Sequence, residues 1–455
     1  MRNSLGRKHK RMVMTGAAGL ALAGAGAGLL SCRAQPPPLR VVLITIDTLR
    51  YDSFAGGPGG SLMPRTLARA SRGRTFERAF AATSCTQPSH ASMFTGLHPW
   101  EHGVTTNGRV LAEAQRTVAE ALSQAGFETF AVVASLPVTA RFGFAQGFRR
   151  FAAPFTHALG LEAWEGVEVP GGRFYALGET VTDEALRQLD RAQGRKQFLW
   201  VHYFDPHSPY GDSGSGGDAL TPAEVLRRMA GGAGERAGLA DEVKTLYGRD
   251  VGALDRALDR LLARLERDRD RFDTHVVVTS DHGESLGENQ VIGHGNHLSV
   301  EQIQVPLFVL SRLYPRGLDR VPSGSVDVAP TLLALAGVKE QLGGGRDLAA
   351  PPRAPHPTVG MRRTYDRPLE ALRADGRTDR FEGYLFYLVE DDGDVIVGNG
   401  QGFETGMGPG TPAAPRADVL TALFRRFEGR LAGRPASAPL DAETEGALRA
   451  LGYVN

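Results

Sequence analysis

The sequence predicts an α/β fold: a mostly parallel central sheet flanked by helices, with a smaller C-terminal α+β subdomain. Three observations carry this prediction. Apolar, β-branched runs too continuous for a strand with one wet face alternate with helical patterns, which is the signature of a parallel sheet covered on both sides. Polar clusters rich in Asp, His, Ser and Thr follow two of these runs directly, where open α/β sheets hold their ligands. Past residue 345 the pattern changes to Gly- and Pro-rich breaks followed by short alternating strands.

The strand candidates, in chain order, are Leu39–Ile46 (LRVVLITI), Thr129–Val133, Gln197–Tyr203, His275–Thr279 and Val305–Leu310. Helical patterns occupy 116–125, 180–192 and 242–265; in the last, Val251, Leu254, Leu258, Leu261, Leu262 and Leu265 recur at helical intervals. Flexible excursions are expected at 213–217 and 231–234, and a break at 343–347 leads into the Pro-rich stretch 349–357. Residues 383–398 read as turn-bounded strands with Asp391-Asp392-Gly393 as the hairpin turn. A helix over 418–431 and a tail over 443–451 close the chain. The expected organisation is a main domain over 39–345 and a C-terminal subdomain over 346–455, with no internal repeat.

At 455 residues the chain fits two or three units, or one large domain with an appendage. Its 42% apolar content is enough for a large core. A net charge of +1, with arginines spread along the chain, argues against a nucleic-acid partner. Two cysteines, Cys32 and Cys85, exclude a disulfide framework.

Residues 1–32 are set apart as an export signal: Arg2, Arg7, Lys8, Lys10 and Arg11 precede an apolar run from Met12 to Leu30. The run ends in Leu29-Leu30-Ser31-Cys32, which resembles a bacterial lipoprotein lipobox. That resemblance implies lipidation of Cys32, a tether over 33–38, and an exported protein held on a bacterial membrane, facing the periplasm or the cell surface. A secretory signal with a chance cysteine, or an uncleaved membrane helix, is the alternative; the Gly and Ala content makes a poor spanning helix.

Three clusters carry the chemistry. Asp47 closes the first strand, as a metal ligand or a helix cap. Asp281-His282-Gly283 follows the fourth, as an oxygen–nitrogen ligand pair or a polar turn. The stretch Ser84-Cys85-Thr86-Gln87-Pro88-Ser89-His90 leads into a helix whose entry Pro88 fixes, with Thr86 or Ser84 as a hydroxyl beside helix-start N–H groups or simply as the cap.

In this order the clusters resemble the sulfatase family of the alkaline phosphatase superfamily. Thr86-Gln-Pro-Ser-His90 with Met93-Phe-Thr-Gly96 is similar to its nucleophile motif. Phe204-Asp-Pro-His-Ser-Pro-Tyr210, Gly293-His-Gly295, Val305-Pro-Leu307, Asp327-Val-Ala-Pro-Thr-Leu-Leu333 and the ending Leu448–Tyr453 are further family-like pieces. Three positions depart from the family pattern. The formylglycine-forming Cys or Ser is Thr86, as in the phosphodiesterase and phosphoglycerol-transferase branches; the motif Arg is His90; and the second Asp of the usual pair is Thr48.

The resemblance implies one divalent metal ion (Mn, Zn, Mg or Ca) held by Asp47, Asp281, His282 and the Thr86 hydroxyl, with Thr86 as covalent nucleophile. His207 and His294 are candidates for substrate binding and for protonating the leaving oxygen, and His90 for assisting the nucleophile. A mixed oxygen and nitrogen set suits Mn²⁺, Zn²⁺ or Mg²⁺; the family pattern also admits Ca²⁺. His98, His102 and His297 read as structural, and Glu284 and Glu288 as supports of the ligands or solvated turn residues. The expected substrate is a small-molecule, glycan or lipid ester of phosphate, or alternatively of sulfate, and the competing class is a non-catalytic surface lipoprotein with this fold.

Overall fold

A computed structural model describes residues 37–349, save residue 58 and breaks at 160–162, 165–166, 169–171, 214–218 and 296–297, together with four strands between 358 and 405. The expected signal segment with Cys32, most of the tether, the helix at 418–431, the closing tail and His297 lie outside the described residues.

The main sheet has eight strands: β1 (Leu39–Ile46), β2 (Arg74–Phe76), β3 (Glu128–Val133), β4 (Arg150–Ala152), β5 (Lys196–Tyr203), β6 (Asp273–Ser280), β7 (Leu307–Leu310) and β8 (Gly317–Asp319). Their order is β8-β2-β7-β6-β1-β5-β3-β4. Only β7 runs against the rest, pairing antiparallel with β6 and β2. The mostly parallel sheet expected from the sequence is therefore the fold. Consecutive residues Val41 to Ile44 in β1 are all fully buried, so both faces of the strand are covered. The expected run Val305–Leu310 begins pairing only at Leu307, because Pro306 has no N–H to give the ladder. The three-residue strands β2, β4 and β8 contain no apolar run and were not anticipated from sequence.

Helices cover the sheet, among them α1 (Thr86–Thr95), α2 (Val118–Gln124), α3 (Gly178–Arg191), α4 (Ala233–Arg267) and α5 (Val328–Leu335). Thr117 caps α2, its hydroxyl accepting from Glu120 N at 3.2 Å. The excursion expected at 231–234 is shorter than the sequence suggested: Gly232 is the cap of α4 and Gly234 lies in its first turn. First-turn N–H groups have no helical partner to lose, and the buried stripe already begins at Leu239 and Val243. That stripe continues through Tyr247, Val251, Leu254 and Leu258 onto the sheet.

The strands β9 (Thr358–Arg363), β10 (Tyr384–Val389), β11 (Val395–Asn399) and β12 (Gly402–Thr405) form a separate antiparallel sheet in that order. Val389 pairs with Val395, as the hairpin read from the sequence requires; its turn is not among the described residues. This sheet rests on the segment that feeds α1: Met361 N donates to Ala82 O at 2.9 Å and Tyr387 Oη to Ala81 O. A side chain at Gly360 would collide with Ala82 O and the Tyr387 ring, so the approach needs glycine.

Candidate active site

Register brings the polar clusters together. Ile46 lies level with Tyr203 on one side and Ser280 on the other, so β1, β5 and β6 end at one height. Asp47 and Asp281 are then the first residues past adjacent strands, and their backbones stay bonded across the gap: Asp47 N to Tyr203 O at 2.9 Å and Asp281 N to Ile46 O at 3.3 Å. One oxygen of each carboxylate and one nitrogen of His282 lie within 4.8 Å of one another, all buried. His282 Nε2 stands 3.8 Å from Asp47 Oδ1 and 3.6 Å from Asp281 Oδ2.

These groups fit a divalent cation. Both oxygens of Asp47 and Oδ2 of Asp281 are buried with no hydrogen-bond donor, an arrangement that costs energy unless a cation compensates it. Burial first, then the neighbouring carboxylates Asp281 and Glu284, raises Asp47 well above the usual carboxylate range; burial does the same to Asp281. His282 Nδ1 donates to Gly283 O at 2.9 Å, which leaves the Nε2 lone pair facing the carboxylates. Burial holds this imidazole neutral, as a metal ligand must be. The cap reading of Asp47 is excluded: its carboxylate accepts nothing, and Arg50 stands at the cap of the next helix.

The turn after Asp47 is built to keep this geometry. Thr48 is left-handed, with φ 53°, a conformation that costs a β-branched residue about 1–2 kcal/mol. Tyr247 of α4 pins it by donating to Thr48 O at 3.0 Å and accepting from Arg50 N at 3.1 Å. Ser280 Oγ accepts from Leu49 N at 3.0 Å. The Thr48 amide then donates to Asp281 Oδ1 at 3.2 Å, so backbone, not a second carboxylate, steadies Asp281.

Thr86 is the first residue of α1, with Cys85 at the cap position, so Thr86 is not itself the cap. Its Oγ1 lies 3.3 Å from His282 Nε2, and it lines a cleft with Phe204, His207, Glu284 and His294. Pro88 as third helical residue sacrifices no helical hydrogen bond. Ser89 ties the helix to the carboxylate cluster, its Oγ donating to Asp281 O at 2.6 Å.

His90 is placed behind the nucleophile and does not line the cleft. Its Nδ1 donates to Thr86 O at 2.9 Å, since a carbonyl only accepts, so Nε2 accepts from Thr45 Oγ1 at 3.1 Å. Thr45 Oγ1 in turn accepts from Trp200 Nε1 at 3.0 Å and from His202 Nδ1 at 3.1 Å. Every partner is satisfied with both rings neutral; burial lowers His90 to about 4 and holds His202 well below its ordinary value. His90 thus replaces the family's arginine with a neutral positioning residue rather than a cation.

On the cleft side, His294 Nδ1 lies 3.0 Å from Glu284 Oε1, and its ring is 4.3 Å from that of His282 and 4.9 Å from that of His207. Glu284 is buried, which overturns its reading as a solvated turn residue; Glu288 pairs with Arg50 at 2.8 Å. His207 Nδ1 donates to Ser208 O at 2.6 Å, and burial against Phe204, with His294 nearby, lowers it to about 3. Its Nε2 therefore offers a lone pair at neutral pH, not a proton. Asp205 serves the scaffold, accepting from Gly178 N at 2.9 Å and Ser213 Oγ at 3.0 Å. His102 bonds Ser92 Oγ at 3.0 Å and His98 stacks on Trp100, both structural as expected.

The structure therefore brings Asp47, Asp281 and His282 together behind Thr86, which with His207 and His294 lines the cleft. Sequence reasoning missed His202, Ser89 and Tyr247. His202 had a usable signal, a histidine near the end of a strand read as buried on both faces. Tyr247 had none, since it sits inside a long helix away from every motif.

The sulfatase family model matches residues 40–338. The chain is 24% identical over 378 residues to the multifunctional alkaline phosphatase superfamily protein PehA of Trinickia caryophylli, covering 65% of this chain and 73% of that protein. It is 24% identical over 347 residues to the choline-sulfatase of Rhizobium meliloti, covering 66% and 67%. Among solved structures it is similar to the phosphonate monoester hydrolase of Silicibacter pomeroyi, with a TM-score of 0.61, 18% identity, and coverage of 87% of this chain and 96% of that one. The chain belongs to the sulfatase family, within the alkaline phosphatase superfamily of ester hydrolases.

Proposed function

We propose that this protein hydrolyses, or transfers, a phosphate ester through a covalent intermediate on Thr86, with a diester as the best substrate. The observation that carries the reading is the Thr86 hydroxyl 3.3 Å from His282 Nε2, beside two buried carboxylates whose oxygens lack donors. A divalent cation held by Asp47, Asp281 and His282 supplies positive charge that favours the threonine alkoxide and neutralises the ester oxygens.

The chain's own residues supply the rest. Thr86 Oγ forms the new bond to phosphorus, its proton passing to water in the cleft, while the bond from phosphorus to the departing oxygen breaks. His294, oriented by the Glu284 carboxylate, gives the departing oxygen a proton. Water then attacks the phospho-threonine, returning a proton to His294, while the bond from phosphorus to Thr86 Oγ breaks and that oxygen takes back a proton from water in the cleft; an acceptor alcohol in place of the attacking water makes the reaction a transfer. His207, held neutral with a bare Nε2, orients that water or the ester. His90 keeps the Thr86 carbonyl, and so the first turn of α1, in place.

The diester preference follows from charge. Three buried carboxylates, Asp47, Asp281 and Glu284, already face the site, and no Lys or Arg lines the cleft among the described residues. A dianionic monoester meets more repulsion there than a monoanion does. Sulfate esters are monoanions too, and the family match and the choline-sulfatase relative support that as a second reading. Matched aryl sulfate, aryl phosphate and diaryl phosphate esters, assayed with Mn²⁺, Zn²⁺ and Ca²⁺, separate the two. Thr86→Ala should lower turnover at least about a thousandfold while keeping cation-induced stabilisation. Turnover retained in that variant would exclude threonine as nucleophile.

A further inference from the structure

The walls of the cleft are unlike its floor. Beyond Thr86, His207, His294 and Glu284, the polar side chains lining it are Ser208 and Tyr210. The remaining wall is apolar and comes from separated segments: Leu159, Phe174, Phe204, Leu226 and Ile292. The short helix Pro222–Met229 contributes most plainly. Pro222, Val225 and Leu226 stand at i, i+3 and i+4, one face of that helix, and this face borders the cleft. Leu159, Leu226 and Ile292 are only half-buried, so three apolar side chains from three separate segments ring a space beside the nucleophile.

An apolar ring around a reacting centre is costly unless something apolar fills it. A sugar ring would need hydrogen-bond partners along this wall, and among the described residues it offers few. A second phosphate or sulfate would need cations, and no Lys or Arg lines the cleft among the described residues. Resting on the ester-hydrolase reading above, we infer that the substrate carries an aliphatic or aromatic group on its esterified oxygen, which packs between Leu226, Ile292, Leu159 and Phe174: a lipid-like ester rather than a sulfated glycan.

The test is a homologous series of p-nitrophenyl alkyl phosphodiesters, methyl to octyl, run on the full-length protein with Mn²⁺ beside p-nitrophenyl sulfate and a sulfated monosaccharide. A buried methylene strengthens binding about three- to fourfold, so a half-covered lip predicts kcat/KM rising at least tenfold from methyl to hexyl. Leu226→Ser with Ile292→Ser should flatten that rise, read as the hexyl-to-methyl ratio, and thermal unfolding in the same buffer checks that the variant remains folded. Rates independent of chain length, an unchanged ratio in the folded variant, or preference for the sulfated sugar would overturn the inference while leaving an active hydrolase. No turnover of any ester would instead overturn the hydrolase reading itself.

Discussion

Replacing Asp47 by asparagine should stabilise the cation-free protein and abolish its response to cations. Both Asp47 oxygens and Asp281 Oδ2 are buried without donors; on top of burial, Asp281 and Glu284 raise the proton affinity of Asp47, and Glu284 raises that of Asp281. Each such unsatisfied group costs about 1–3 kcal/mol. The Asp47→Asn side chain would keep the shape, remove one charge, and bring an amide N–H₂ near Asp281, one oxygen of which lies within 4.8 Å of an Asp47 oxygen. A hydrogen bond to a charged acceptor contributes about 1.5–3 kcal/mol, so a net gain of about 1–3 kcal/mol is expected in chelator. Urea denaturation of parent and variant with EDTA measures it. With Mn²⁺ a hundredfold above its Kd the parent should gain about 2.7 kcal/mol, and the variant far less, so the variant's advantage disappears. A variant less stable than the parent in EDTA, or one stabilised equally by Mn²⁺, refutes the reasoning that these carboxylates are arranged for a cation.

Two further outcomes follow from the same geometry. Tyr247→Phe removes the hydroxyl shared by Thr48 O and Arg50 N, leaving two buried backbone groups unpaired; unfolding free energy should fall by about 2–4 kcal/mol and cation affinity with it, and an unchanged urea midpoint would count against the clamp. His90 is held neutral, its folded value lowered from 6.5 to about 4, so between those values the unfolded chain binds more protons than the native one. Stability from this group is therefore complete above about pH 6.5 and lost as pH falls toward 4, on the order of 3 kcal/mol. Urea midpoints at pH 7.5 and 4.5 in EDTA, parent against His90→Gln, should show a shallower acid loss in the variant; equal slopes would contradict a buried neutral ring.

The strands that matter most were plain in the sequence because a doubly buried strand leaves no room for polar residues: LRVVLITI and the runs at 197–203 and 275–279 became β1, β5 and β6. Asp47 and Asp281-His282 were legible for the same reason, as the first polar residues after such runs, and Thr86 by its distance from Pro88. The short strands β2, β4 and β8 were not, because three residues leave no periodicity to read. The extent of α4 was underestimated because Gly232 and Gly234 fall where a helix start tolerates them.

The sequence by itself placed polar clusters at the ends of the buried strands and a hydroxyl before Pro88, since hydrophobic patterning and motif spacing are local properties. Tertiary structure alone decided how these groups are arranged. Pairing register set Asp47 level with Asp281 although most of the domain lies between them in the chain. His90 became neutral because Thr45, Trp200 and His202 closed around it, and Leu226 and Ile292 met at one cleft from segments far apart in the chain. Burial and charge are properties of the assembled neighbourhood, and a linear pattern does not contain them.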